Sequence, residues 1–161
     1  MEQMKFEVDS DGIATVTWDM PGRAMNVLST ESLAEFAECI ERIKNDAAIK
    51  GAVITSGKDS FLAGADLMLV EETTAAGKGK SEQERYEALY ASPILKFSGL
   101  LRVLETCGKP IAAAINGIAL GGGLEIPLAC HYRVCADNPA IQLGLPESKV
   151  GLLPGGGGTQ R

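Results

Sequence analysis

Two carboxylates and two glycine-rich turns are the places in this sequence where chemistry could sit. Glu125 lies between Leu124 and Ile126, just inside an apolar helix start, and Glu147 follows Gly144-Leu145-Pro146 on a turn. A carboxyl group among apolar neighbours suits general acid–base work, because removal from water disfavours its charged form. The competing readings are a first-turn carboxylate favoured by the helix dipole for Glu125 and an ordinary surface turn for Glu147. The glycine-rich turns are Phe61-Leu62-Ala63-Gly64-Ala65-Asp66 and Asn116-Gly117 through Gly121-Gly122-Gly123-Leu124-Glu125. Each joins a buried strand to an expected helix, where backbone N–H groups are unpaired and the helix dipole adds positive potential. Small residues let a ligand approach the main chain closely, and two converging N–H groups would form an oxyanion hole. Tight strand–helix packing asks for the same small residues, so the turns alone leave both readings open.

Other chemistries fit less well. Neither turn matches the dinucleotide or Walker pattern. The single histidine, His131, adjoins a strand in an apolar stretch and reads as structural, so no Ser/His/Asp arrangement is available. Cys39, Cys107, Cys130 and Cys135 contain no Cys-x-x-Cys pair. A metal site is therefore not expected, and the thiols read as reduced and mostly buried in a cytoplasmic protein. A net charge of −6 weighs against a nucleic-acid partner. It does not weigh against an anionic ligand held by a few local donors. The chain begins without the apolar stretch of a signal peptide. Its most apolar region, Pro110 to Cys130, contains Asn116, Glu125, Pro127 and several glycines, a poor pattern for a membrane span.

The elements that must position these residues can be read from periodicity. Phe6–Val8 and Ile13–Trp18 read as strands joined by a turn at Asp11-Gly12. Ser29 or Thr30 caps a helix whose apolar face is Leu33, Phe36, Ala37, Ile40 and Ile43. Lys50–Ser56 and Pro110–Ile115 read as buried strands, and Tyr132–Cys135 and Ala140–Gln142 as short ones. Thr74–Ser81 reads as a mobile loop. Glu82–Thr106 is helical with a stripe of Tyr86, Tyr90, Ile94, Phe97, Leu101 and Leu104, interrupted at Ser92-Pro93. Gly121–Ala129 is a helix entered through glycines. Strands alternating with helices imply parallel pairing and an α/β class in one domain. No internal repeat is visible. The run Gly155 to Gly158 reads as a phosphate cradle or as a turn opening a further helix. Thr159 resembles the N-cap of such a helix, so the sequence reads as cut there.

Taken together, the segment Ala63-Gly64-Ala65-Asp66 and the segment Asn116-Gly117 through Gly121-Gly122-Gly123-Leu124-Glu125 resemble two signature segments of the crotonase superfamily. Pro146-Glu147, with Gly151 to Gly155 and Gly157 to Arg161, resembles the third. Trp18 to Leu28 and Pro146 to Pro154 are also similar to the hydratase/isomerase domain of multifunctional fatty-acid oxidation α subunits. The resemblance implies a spiral of stacked β-β-α turns that binds acyl-CoA thioesters. Residues 1–161 would be the N-terminal part of one such domain, without the family's C-terminal helices. It implies oxyanion-hole donors at Ala65 and Gly122, and substrate contacts at Ala63, Gly64, Asp66 and Gly121, with Ala63 at the adenine end of coenzyme A. It implies that Glu125 activates water for attack at C3 and that Glu147 delivers a proton to C2, or shuttles one between C4 and C2. The implied activity is enoyl-CoA hydration in fatty-acid β-oxidation, with 3-to-2-enoyl-CoA isomerisation beside it.

No cofactor is expected in this segment, since acyl-CoA is substrate and NAD would belong only to a downstream dehydrogenase. A homo-oligomer is expected, and the α-subunit resemblance implies a thiolase subunit as partner of the full protein. Two alternatives stand beside the hydratase: another acyl-CoA reaction of the superfamily, such as decarboxylation or ring closure, and a non-catalytic acyl-CoA-binding module. Glutamates far apart or facing solvent would favour the last.

Overall fold

The computed structural model of the chain describes residues 1–66, 68–69, 71, 75, 78–91 and 93–161. The Ser92 cap, the Ile94 side chain of the expected stripe, and Thr74, Ala76 and Gly77 of the expected loop lie outside what is described. The elements are β1 (Met4–Val8), β2 (Ile13–Trp18), α1 (Thr30–Asn45), β3 (Gly51–Ser56), α2 (Glu82–Ala91), α3 (Pro93–Glu105), β4 (Ile111–Ile115), β5 (Ala119–Leu120), α4 (Gly122–Ala129), β6 (Tyr132–Cys135) and β7 (Leu143–Gly144). A short 3₁₀ turn spans Glu147–Val150.

One sheet has the order β1-β2-β3-β4-β6, with β1 antiparallel to β2 and the remaining pairs parallel. Parallel neighbours need a crossover, and α1, α2 with α3, and α4 lie in those crossovers. A second, narrower ladder runs beside it. Leu28 pairs with Ala65, Leu62 pairs with Ala119, and β5 pairs with β7, all in parallel. Each successive winding of the chain thus gives one strand to the wide sheet and one short segment to the narrow ladder. This is the expected spiral. The repeat is one of backbone path, which is why no repeat shows in the sequence.

The core follows from the patterns that each element carries. In β2 the alternate residues Ala14, Val16 and Trp18 are buried, and in β4 Ile111, Ala113 and Ile115 are. The face of α1 formed by Leu33, Phe36, Cys39, Ile40 and Ile43 covers them, with the Trp18 and Phe36 rings 5.2 Å apart. Each such side chain contributes roughly 1.5–3 kcal/mol on leaving water. Ser29 is the N-cap of α1: its hydroxyl accepts the Ser32 N–H, and the Ser32 hydroxyl accepts the Ser29 N–H in return. At the other end Lys109 Nζ donates to the Ile43 and Asp46 carbonyls, both at 2.6 Å.

Two expectations are corrected. The strand expected at Ala140–Gln142 lies at Leu143–Gly144. The Asn138 carboxamide accepts the Ala140 N–H and the Asn138 carbonyl accepts the Ile141 N–H, so a local turn takes the donors that a strand would need. In the expected stripe Phe97, Leu101 and Leu104 are buried, but Tyr86 and Tyr90 are exposed and stack on each other at 4.5 Å. They belong to α2, which is polar on most of its surface, whereas the buried part of the stripe belongs to α3.

All four cysteines are free thiols. Burial pushes the Cys39 and Cys130 thiols up to about 12, while Cys135 is exposed. Iodoacetamide at neutral pH should therefore label Cys135 in the native protein and reach Cys39 and Cys130 only after unfolding, read by peptide mass spectrometry. Close packing of the two glycine-rich turns generates a second expectation. A Cβ on Gly117 would lie 2.0 Å from the Asp59 carbonyl oxygen, a backbone atom that cannot swing aside. Gly117→Ala should destabilise by about 1–3 kcal/mol in urea unfolding. Gly99→Ala, in helix α3 with open space around it, should stabilise by roughly 1 kcal/mol.

Candidate active site

The first glycine-rich turn threads between two neighbours. On one side it meets the segment after β2: Ala63 N–H donates to the Asn26 carbonyl at 2.9 Å, Leu28 N–H to the Gly64 carbonyl at 2.8 Å, and Asp66 N–H to the Leu28 carbonyl at 2.8 Å. On the other side it meets β5: Leu62 N–H donates to the Ile118 carbonyl, and Leu120 N–H to the Leu62 carbonyl, both at 3.1 Å. Gly64 takes a φ of 99° here, with the Leu120 carbonyl oxygen 3.1 Å from where its Cβ would be. Only glycine accepts that backbone and that approach.

Trans peptides place a carbonyl and the following N–H on opposite sides of the chain, and none here is cis. With the Gly64 carbonyl turned toward Leu28, the Ala65 N–H is turned away from it, to the side on which Leu120 lies. Among the described residues the Ala65 N–H has no acceptor, and neither does the N–H of Gly122, the first residue of α4. Leu28 touches both positions. Its backbone pairs with Ala65, and its Cδ1 lies 2.5 Å from where a Cβ on Gly122 would be. A side chain on Gly122 would have to displace the end of the Leu28 side chain.

The carboxylates come to the same place. Glu125, on the first turn of α4, is 2% exposed. Its Oε2 lies 3.8 Å from the Cβ position of Gly122, and its Oε1 accepts the Gly158 N–H at 2.8 Å. Glu147 follows β7 and is half-buried, with Oε1 3.0 Å from the Cβ position of Gly121. Its Oε2 is buried without a hydrogen-bond partner. A buried carboxylate oxygen with no donor is an acceptor held ready for an O–H or a proton. The two carboxylates therefore border two consecutive glycines, and neither reads as a surface group. Gly121 itself takes a φ of 55°, and its N–H is bonded to the Gly144 carbonyl at 2.9 Å, which fixes β7 and hence Glu147 beside it.

The remaining candidates are placed nearby, with much of their main chain engaged within the protein. The Ala63 and Asp66 N–H groups and the Gly64 carbonyl all bond the Asn26–Leu28 segment, and the Asp66 carboxylate pairs with Arg23 at 2.8 Å. His131 is structural as expected: its Nδ1 accepts the Ile111 N–H at 3.2 Å. Among the described residues no three His, Cys, Asp or Glu side chains gather as metal ligands, and no helix is long and apolar enough to cross a membrane.

Two contributors were not connected to Glu125 or to the first glycine-rich turn from the sequence. The glycine run holds Glu125 through Gly158. A Cβ on Gly156 would lie 2.6 Å from Glu125 Oε2, and one on Gly158 would lie 2.9 Å from Glu125 Cγ. Its small residues thus make room for a carboxylate, and the Arg161 N–H on the Gly157 carbonyl at 3.3 Å has the spacing of the helix opening expected there. Thr159 sits in a turn closed by Gln160 N–H on the Gly157 carbonyl. The second contributor is Asn26, fully buried and bonded to Trp18, Met20, Ser56 and Ala63. A buried polar residue in an otherwise apolar stretch after a strand was the signal that could have found it.

Comparison with known proteins agrees with this geometry. A family model described as enoyl-CoA hydratase/isomerase matches residues 9–161. Fatty acid oxidation complex subunit alpha of Shewanella loihica is 48% identical over 153 residues, and that of Shewanella oneidensis 45% over 152, each covering 94% of this chain and 20% of the relative. The chain thus spans about a fifth of the length of the curated relatives it matches. The solved enoyl-CoA hydratase of Bacillus anthracis superposes with a TM-score of 0.77 at 30% identity, covering 98% of this chain and 56% of that one. The spiral is accordingly the crotonase fold, and the chain belongs to the enoyl-CoA hydratase/isomerase family.

Proposed function

We propose that this chain carries the site of an enoyl-CoA hydratase of fatty-acid β-oxidation, adding water across the double bond of a 2-trans-enoyl-CoA. Isomerisation of 3-enoyl-CoA to 2-enoyl-CoA accompanies it. One observation carries this reading: the Glu125 and Glu147 carboxylates both border Gly121-Gly122, beside two backbone N–H groups without acceptors. Family membership supports the same assignment.

On this reading the thioester carbonyl oxygen lies against the N–H groups of Ala65 and Gly122. Electron density drawn onto that oxygen leaves C3 open to attack, and the two donors stabilise the enolate-like charge that develops. Glu125, held by Gly158 in a largely dry environment, takes a proton from water as its oxygen bonds C3. Glu147 delivers a proton to C2. In isomerisation no water is added, and Glu147 removes a proton from C4 and returns it to C2. The Ala63 carbonyl, unbonded among the described residues, is free to accept from the adenine amine of coenzyme A. Gly64, Asp66 and Gly121 shape the approach.

Residues 1–161 are, on this reading, the N-terminal part of a single hydratase/isomerase domain, supported by the 56% of the Bacillus anthracis chain that they span. The apolar side chains of Tyr132 and Val134 on β6, Leu143, Val150, Leu152 and Leu153 are all exposed. Exposed apolar side chains in such number favour association, so light scattering of this 161-residue chain should show oligomers. A monodisperse monomer with full turnover would contradict both parts.

The two glutamates can be separated by paired assays in the complete enzyme. Glu147→Gln keeps the size of the side chain and removes proton transfer. It should lower both crotonyl-CoA hydration and 3-enoyl-CoA isomerisation by roughly 10²–10⁴-fold, the range for a general acid–base residue. Glu125→Gln should lower hydration by a similar order and leave more isomerisation. Substrate binding should change far less than turnover in both. Loss of isomerisation in Glu125→Gln with its retention in Glu147→Gln would reverse the roles.

A further inference from the structure

We infer that Asn26 is a positioning residue for the reaction, setting the direction of the Ala65 N–H from a distance; this rests on the oxyanion-hole reading above. Asn26 is 0% exposed. Its Oδ1 accepts the Met20 N–H at 3.0 Å, and its Nδ2 donates to the Trp18 carbonyl and to Ser56 Oγ, both at 2.9 Å. Ser56 Oγ in turn donates to the Ser60 carbonyl at 2.6 Å. Its own carbonyl accepts the Ala63 N–H at 2.9 Å. One side chain thus ties the ends of β2 and β3 to the start of the glycine-rich turn, and its main chain ties that turn to residue 26.

The consequence lies two residues further on. Leu28 N–H holds the Gly64 carbonyl at 2.8 Å. Because the peptide is planar and trans, that bond turns the Ala65 N–H away from Leu28, and the Asp66 N–H on the Leu28 carbonyl at 2.8 Å completes the bridge. Gly64, at a φ of 99°, offers little resistance to rotation of this peptide plane. If the plane turned, a carbonyl oxygen would replace the N–H on the substrate side, and a donor would become an acceptor. The Leu28 bond cannot be removed by changing a side chain, but its position depends on where the Met20–Leu28 segment is held. Asn26 is the buried polar group that holds it. The exposed Arg23, paired with Asp66 at 2.8 Å, gives a second, solvent-screened tie between the same segments.

The test is carried out on the complete enzyme with butyryl-CoA carrying ¹³C at the thioester carbon, a saturated ligand that cannot be hydrated. Isotope-edited infrared spectroscopy reads the carbonyl stretch of the bound thioester. In the wild type and in Glu125→Gln it should move to lower frequency on binding, although Glu125→Gln has lost turnover. Asn26→Asp keeps the shape and the acceptor for Met20 but replaces the donor to Trp18 and Ser56. It should lose most of the frequency shift and lower kcat for crotonyl-CoA by roughly 10–10²-fold, below the cost of deleting an oxyanion donor outright. The dissociation constant for butyryl-CoA should stay within about threefold, since uniform binding contacts are untouched.

A merely structural role would change stability without moving the carbonyl frequency. A folded Asn26→Asp enzyme with the full shift and full kcat overturns the inference about Asn26 and leaves the oxyanion hole standing. A wild-type enzyme showing no shift overturns the oxyanion-hole reading itself. Should Asn26→Asp fail to fold by circular dichroism, Ser56→Ala takes its place. It removes the hydroxyl that links Asn26 to Ser60 and also accepts the Lys58 N–H, and a partial loss of the shift is expected; an unchanged shift overturns the proposal.

Discussion

On the proposed reading, the direction of one peptide plane decides whether the site has its donor at Ala65. Between Gly64 and Ala65 the carbonyl is drawn to Leu28 and the N–H is left facing the opposite way. A peptide group has one donor and one acceptor and cannot present both to the same side. The site therefore depends on a hydrogen bond that no side chain makes. Much of the surrounding structure secures it: the parallel bridge of Leu28 with Ala65, the bridge of Leu62 with Ala119, and the buried carboxamide of Asn26 behind them.

Glycines serve this arrangement in two distinct ways. Gly64 and Gly121 supply positive φ just before the Ala65 and Gly122 N–H groups. Gly117, Gly123, Gly156 and Gly158 supply absence of volume. The first two let neighbouring turns meet backbone to backbone, and the last two admit the Glu125 carboxylate. A buried carboxylate is costly unless it is hydrogen-bonded, and Gly158 provides that bond from a turn 33 residues away in sequence. Glu125 is thereby held dry and oriented at once. Glu147 is left with a buried oxygen that no donor among the described residues satisfies. The asymmetry fits one group that orients water and one that exchanges a proton.

Much of this was legible in the residues. Alternation in β2 and β4, the three-and-four spacing of α1 and the Ser29 cap each depend on neighbours within a few positions. Such local signals survive without knowledge of the fold. The candidate site residues were pointed to differently, through a resemblance carried by three segments in order, and the geometry brings all three segments to one place. Where local reading failed, a local competitor explains it. Asn138 drew the Ala140 N–H and Ile141 N–H groups into a turn, and the tyrosines of α2 followed a helical spacing that had no core to face.

What the sequence by itself determined is the set of elements, their apolar faces, and the residue types able to do acid–base and oxyanion chemistry. Tertiary structure decided which of those residues meet. The spiral aligns Leu28, Ala65, Gly121-Gly122 and Glu147 because successive windings add one rung each to the narrow ladder. These are hydrogen bonds between segments 20 to 60 residues apart, and main-chain hydrogen bonding carries no residue signature. The same reason hid Asn26 and Gly158. Each acts on a distant backbone group, and an asparagine or a glycine reveals its partner only when the chain has closed around it.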